Sequence, residues 1–275
     1  MPAYTNRPAL PGNTAVLRRL GREGLIATLR DRQLRFTRID KLEDTFEGSA
    51  PQAEIDAVTP ALIGAASQQH MWMQLRPHYP ELGLDTYFTE DPWTRVSRYR
   101  RAMTKATHAC SWSHGDESDL MWRRYCADDG IPGCGVALRT TLDRLETSVA
   151  AHDLYVSPII YREYHTPGTG KPVFSQQVDA MFHKRSGYKD EREVRLLKYN
   201  EHHYGQLANK ATVVELPEYE FLGWEPADVL DAIVISPYSD EAHEQEVRDI
   251  VHAHAPTLDA RVELSTLERP GRARF

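Results

Sequence analysis

Thr107-His108-Ala109-Cys110-Ser111-Trp112-Ser113 is the stretch on which the fold of this chain turns. An apolar middle that runs into Ser111, Trp112 and Ser113 has the composition of a β-strand ending in small polar residues. Downstream, Ser118 is placed to cap a short helix through Leu120, Met121, Trp122 and Tyr125. A glycine-rich turn at Gly130 to Gly135, a strand Val136 to Leu138 and a helix opened by Thr140 or Thr141 come next. Val156 to Tyr161 is expected as a strand, Ser175 to Lys184 as a helix, and Glu193 to Leu197 as a strand again. Thr212 to Leu216 and Ala232 to Ser236 have β-branched cores. Asp240 to His254 carries Val247, Ile250 and Val251 on one helical face, and Val262 and Leu264 close the sheet.

Upstream, Trp93 to Met103 is expected as a helix, and Tyr79 to Pro92 as a connection. Ile55, Val58, Leu62, Ile63 and Ala66 suggest another helix. Leu42 to Gly48, with the acids Glu43, Asp44 and Glu47, reads as a structured loop, and Leu34 to Arg38 as a strand. Asn13 or Thr14 is placed to cap a first helix through Val16, Leu17, Leu20, Leu25 and Leu29, interrupted at Gly21 and Gly24. Strands and helices mix without regular βα alternation, which favours an α+β class over a doubly wound sheet. The expectation is one α+β domain over residues 1–275, helical to about residue 105 and strand-rich from about residue 106. Its central sheet is expected to be mixed, mostly antiparallel and flanked by helices.

The 275 residues are 41% hydrophobic and 27% charged, ordinary for a globular protein. A net charge of -7 removes the broad attraction that drives non-specific binding to phosphate backbones. The three cysteines Cys110, Cys126 and Cys134 include no CxxC pair, against a disulfide framework and a structural zinc site. Met1 to Pro8 lacks the apolar run of a signal peptide, and no stretch elsewhere approaches about 18 uninterrupted apolar residues. A cytoplasmic protein without a membrane partner is the expectation.

Three constellations could carry chemistry. In Lys189-Asp190-Glu191-Arg192-Glu193-Val194-Arg195-Leu196-Leu197, strand periodicity puts Glu191 and Glu193 on one face and Val194 and Leu196 toward the core. Two carboxylates side by side are costly unless a cation meets them. The same spacing also fits a solvated edge strand, and spacing alone leaves both readings open. Ser111 and Ser113 could orient a catalytic side chain or bond to neighbouring backbone. Arg35 and Arg38 could hold a phosphate or stay solvated. His202-His203 and His252-Ala253-His254 lack the helical spacing and acidic partner of a metal site. Ile235 to Ser239, before a helix rich in acids, reads as a structural cap.

Taken in order, an arginine, a Ser-x-Ser and a Glu-x-Glu running into aliphatics resemble the arginine-carboxylate-carboxylate branch of the ADP-ribosyltransferase superfamily. Here the residues are Arg35 or Arg38, then Ser111 and Ser113, then Glu191 and Glu193. Trp112 stands where that pattern has Thr, and the gap to the glutamates is long. The chain is also similar to a bacterial family, the domain of unknown function 2971. That likeness rests on Leu34-Arg35-Phe36, Asp44-Thr45-Phe46-Glu47-Gly48, Ser111-Trp112-Ser113, Met121 to Tyr125, Gly135 to Leu138, Phe182-His183-Lys184, Glu191 to Arg195 and Ala232 to Pro237.

The first resemblance implies an ADP-ribosyltransferase-like fold and a glycosyltransferase that consumes NAD as substrate without a metal, in the manner of a bacterial toxin or defence effector. The acceptor of ADP-ribose is a protein, a nucleic acid, a small molecule or water. Glu193 would stabilise positive charge on the ribose, Glu191 align the acceptor and Arg35 or Arg38 hold the pyrophosphate. Ser111 or Ser113 would position Glu193, and Trp122 or Tyr125 would stack on nicotinamide. Two other readings stand beside it: a non-catalytic nucleotide- or partner-binding module of a bacterial conflict system, and a nuclease with Asp44, Glu47, Glu191 and Glu193 as metal ligands.

Overall fold

Val16, Leu17 and Leu20, which the sequence places in a first helix, lie in a strand. The computed structural model describes residues 10–44, 47–48, 92–128, 131–163, 178–208 and 215–267. Strand β1 (Ala15–Leu20) is followed by helix α1 (Arg22–Asp31), with Gly21 between them as the helix N-cap. Val16 and Leu17 are both buried, because β1 has covered residues on both faces. A strand buried on two faces loses its polar alternation, and its apolar spacing merges with that of the helix behind it. The helix expected over Ile55 to Ala66, the connection before Pro92 and most of the strand at Thr212 to Leu216 lie outside the described residues.

The next elements are β2 (Gln33–Arg38), α2 (Pro92–Lys105), β3 (Thr107–His114) and α3 (Asp119–Tyr125). A short hairpin of β4 (Ala127–Asp128) and β5 (Ile131–Pro132) leads to β6 (Val136–Thr141) and α4 (Leu142–Ser148), whose N-cap is Thr141. The single strand expected over Val156 to Tyr161 is two: β7 (Tyr155–Pro158) pairs with the main sheet and β8 (Ile160–Arg162) with a separate two-stranded one. Pro158 has no N–H for a ladder, and the chain leaves the main sheet there. The described part of the helix expected over Ser175 to Lys184 is a 3-10 turn, Asp179–Phe182, running into β9 (His183–Arg185).

A second 3-10 turn, Ser186–Glu191, precedes β10 (Glu193–Tyr199). Arg192 between them has φ 44°, so Glu191 ends the turn and is not on the strand with Glu193, against the strand spacing expected of that pair. The chain continues through α5 (Glu201–Ala208), β11 (Tyr219–Gly223), α6 (Pro226–Val229), β12 (Ala232–Ile235), α7 (Glu241–His254) and β13 (Val262–Leu264). Asp240, expected as the first residue of α7, is its N-cap and accepts from the His243 N–H at 2.8 Å, one residue beyond the Ile235 to Ser239 segment expected to cap it.

The protein is α+β, with a nine-stranded, mostly antiparallel open sheet flanked by helices; within that sheet only β12 and β13 pair in parallel. β3 is its hub. β10 pairs with it from Thr107 to Ser113 on one edge. β1 and β2 share the other edge: β2 pairs at His108 and Ala109, β1 at Ser113 and His114. Between those contacts the two strands part, and no described strand pairs with residues 110–112 there. Arg18 of β1 spans the gap by donating to the Arg35 carbonyl at 3.0 Å and to the Cys110 sulfur.

One face of the sheet is closed by the main core, where Val16, Phe36, Trp112, Val194 and Leu196 meet Leu25, Leu145 and Val247 from the helices. The opposite face carries two smaller apolar clusters. One gathers around Ala109, Met181 and Leu197, the other around Leu17, Trp122 and Ala137. Alternation along β3 puts Ser111 and Ser113 on that second face, between the clusters. Gly135 lets β6 start close to β1: its φ is +149°, and a Cβ there would lie 2.6 Å from the Leu20 carbonyl oxygen. Gly135→Ala is expected to destabilise the protein by about 1–3 kcal/mol, seen as a lower urea midpoint. Among the described residues no helix is long and apolar enough to cross a membrane.

Candidate functional site

Ser111 donates to Glu193 at 2.6 Å, because β10 pairs with β3 in a register that brings their polar residues together on one face. Glu193 is followed two residues later by Arg195, which strand periodicity puts on the same side. Arg195 is fully buried, and its guanidinium makes five hydrogen bonds. Nε and one terminal nitrogen reach Glu193 at 2.6 and 3.0 Å. The terminal nitrogens also reach Glu47 at 2.8 and 3.2 Å and the Met181 carbonyl at 2.7 Å. Every N–H of the side chain therefore has an acceptor, the condition under which a buried guanidinium is tolerable.

Lys184, delivered by β9, is the second buried cation. Its Nζ lies 2.6 Å from Glu191, 3.2 Å from Glu47 and 3.3 Å from Glu193. Burial alone would lower Lys184, but Glu193 and Glu47 outweigh it and hold the ammonium raised. Burial likewise pushes Glu193 up, while Arg195 and Lys184 outweigh it and hold the carboxyl at about 2. Three carboxylates and two cations thus form one charged network, with Lys184 where a metal ion would have to sit among Glu47, Glu191 and Glu193. The sequence groups Glu47 with Glu191 and Glu193 only as metal ligands, and does not point to Lys184 or Arg195 as the cations that meet them. Phe182-His183-Lys184 is one of the segments singled out from sequence, and the cost of unpaired carboxylates asks for a cation.

A cleft of about 380 Å³ opens over this network. Of the residues singled out from sequence, Arg35, Asp44, Glu47, Ser111, Ser113, Tyr125, Glu191 and Glu193 line it. Trp122 does not; it is fully buried in the cluster with Leu17, under the Arg19 guanidinium at 5.4 Å. Arg38 is also not among the lining residues, and it pairs with Asp40 at 2.6 Å and donates to the Leu216 carbonyl. Among the described residues the first strand is β1, and its Arg19 lines the cleft and donates to Ser113 at 2.7 Å. At the rim the ring of Tyr188 faces three cations, Arg124, Lys184 and Arg185, at 4.7, 4.8 and 5.3 Å. Arg185 also grips Asp44 with two nitrogens, at 3.2 and 2.7 Å.

The arrangement is a floor of three carboxylates against two buried cations, with Arg18, Arg19, Arg35 and Arg124 also among the residues that line the cleft. Such a site suits a ligand that carries phosphate at one end and develops positive charge at the other. No protein-family model, no curated protein and no solved structure matches this chain.

Proposed function

We propose that the cleft binds NAD and cleaves its bond between nicotinamide and ribose, passing ADP-ribose to an acceptor or to water. The observation that carries this reading is the meeting of arginine, serine pair and carboxylate pair in one cleft: Arg19 on Ser113 at 2.7 Å, Ser111 on Glu193 at 2.6 Å, and Glu191 beside them. The resemblance asks for an arginine on the first strand, and with β1 as that strand Arg19 joins Arg35 as the residue for the pyrophosphate. The negative floor would oppose the charge that develops on the ribose carbon as nicotinamide departs. An ADP-ribosyltransferase-like fold and a cytoplasmic setting belong to the same proposal.

The test is incubation of the pure protein with NAD, with and without EDTA, and measurement of free nicotinamide. Release that EDTA leaves unchanged is expected. Arg19→Ala should weaken NAD binding about ten- to a hundredfold in calorimetry, the effect of losing a hydrogen bond to a charged group. NAD bound without release would favour the non-catalytic module, a reading that the many contacts of Glu193 also support. Absence of NAD binding would end the proposal.

A further inference from the structure

We infer that Glu191, not Glu193, is the carboxylate that meets the reacting ligand, where the cleft joins a second chamber, and that Glu193 is a positioning residue. The inference rests on the NAD reading for its chemistry and on geometry for its assignment. Glu193 already accepts from Ser111 and Arg195 on one oxygen, and from Arg195 and Lys184 on the other. A carboxylate offers about four acceptor positions, so these contacts fill it. Glu191 accepts from Lys184 on one oxygen and from the Tyr125 hydroxyl on the other, with Arg124 at 3.6 Å. It has acceptor capacity left.

Location points the same way. Beside the cleft lies a second chamber of about 410 Å³, lined by Ser118, Leu120, Asp190 and Arg192 among others. Among the described residues the two cavities share Arg19, Ser113, Met121 and Glu191, and Glu191 is the one carboxylate common to both linings. The left-handed turn at Arg192 puts it there: by leaving the strand, Glu191 leaves the face that Arg195 and Ser111 occupy.

The reaction then balances as follows. The bond from the ribose C1′ to the nicotinamide nitrogen breaks, and its electron pair leaves with neutral nicotinamide. A hydroxyl or water arriving through the second chamber bonds to C1′ through oxygen, and its proton passes to Glu191. Glu193 touches neither partner. It fixes Ser111, Lys184 and Arg195, and through Lys184 it fixes Glu191.

The experiment uses the full chain and NAD, with nicotinamide release, NAD affinity and thermal melting measured for Glu191→Gln, Glu193→Gln and Glu193→Asp. Glu191→Gln is expected to melt closer to the wild type than Glu193→Gln does, because Lys184 keeps Glu47 and Glu193 as partners and Arg195 loses nothing. Glu191→Gln should bind NAD within about threefold and release nicotinamide at least about a hundredfold more slowly. Glu193→Gln should melt several degrees lower and lose affinity and turnover together. Glu193→Asp, which keeps a charge opposite Lys184 and Arg195, should recover most of both. Unchanged release by Glu191→Gln, or a loss confined to kcat in a Glu193→Gln that melts normally, overturns the assignment. Melting does not depend on NAD. If the wild type releases no nicotinamide, the NAD reading alone falls, and a Glu191→Gln that melts as low as Glu193→Gln still overturns the inference by making Glu191 part of the same lock.

Discussion

Arg195→Met is expected to lower stability at pH 7 by about 3–5 kcal/mol, the usual cost of removing one partner from a buried ion pair. The guanidinium is the shared partner of Glu47 and Glu193, residues on segments 148 positions apart and on its own strand. Methionine fills a similar volume but leaves both carboxylates facing an apolar surface, with Lys184 alone to compensate. Arg195→Lys should cost less: it keeps the charge, but three ammonium donors cannot reproduce five guanidinium bonds to two carboxylates and a carbonyl. Adding Glu193→Gln to Arg195→Met should recover part of the loss, because the penalty lies in the unpaired charge more than in packing. Urea unfolding of the three variants measures this. An Arg195→Met protein with the wild-type midpoint would show that the network contributes little to the fold.

How much of this was legible in the sequence depends on the range over which each feature acts. β3, β6, β10 and β12 and the helix α7 were readable because their apolar patterns are local and their ends are marked by capping residues or glycine. β1 was not, since a central strand covered on both faces has no alternation to read. The edge strand β11 was missed for another reason: Tyr219 and Phe221 are exposed, so its pattern does not show a buried face. Ser111 and Glu193 could be singled out as polar residues on strands, and the structure brings them to 2.6 Å. The cations that decide what those carboxylates do come from other segments. No spacing rule links Lys184 on β9 to Glu47 in a loop far upstream, because the link is made by pairing of β10 with β3 and by the turn before β10. The register of Glu191 against Glu193 was misread because one left-handed residue, Arg192, is invisible to a two-residue period.

His183 gives the second large effect, and it acts through pH. Its side chain is 1% exposed and its Nδ1 has no hydrogen-bond partner among the described residues. Burial, with a smaller contribution from the Arg162 charge, pushes its pKa down to about 3 from an ordinary value of 6.5. As pH falls below 6.5, the unfolded chain takes up a proton that the folded protein refuses. The stability tied to His183 is therefore complete above pH 6.5 and is lost as pH falls toward 3. At pH 5 the gap is about one and a half units, worth about 2 kcal/mol. His108 and His114 are lowered by burial in the same direction. Glu193 acts later: held at about 2 against an ordinary 4.5, it contributes fully above pH 4.5 and loses that contribution between 4.5 and 2. His183→Phe keeps a ring of similar size and removes the titration. Unfolding free energies from urea titrations at pH 7, 6 and 5 should fall steeply in the wild type and by about 2 kcal/mol less in His183→Phe, and both proteins should share the further loss from Glu193 below pH 4.5, with the wild type still losing more until about pH 3. Equal slopes between pH 7 and 5 in the two proteins would mean that His183 is already able to take its proton in the folded state.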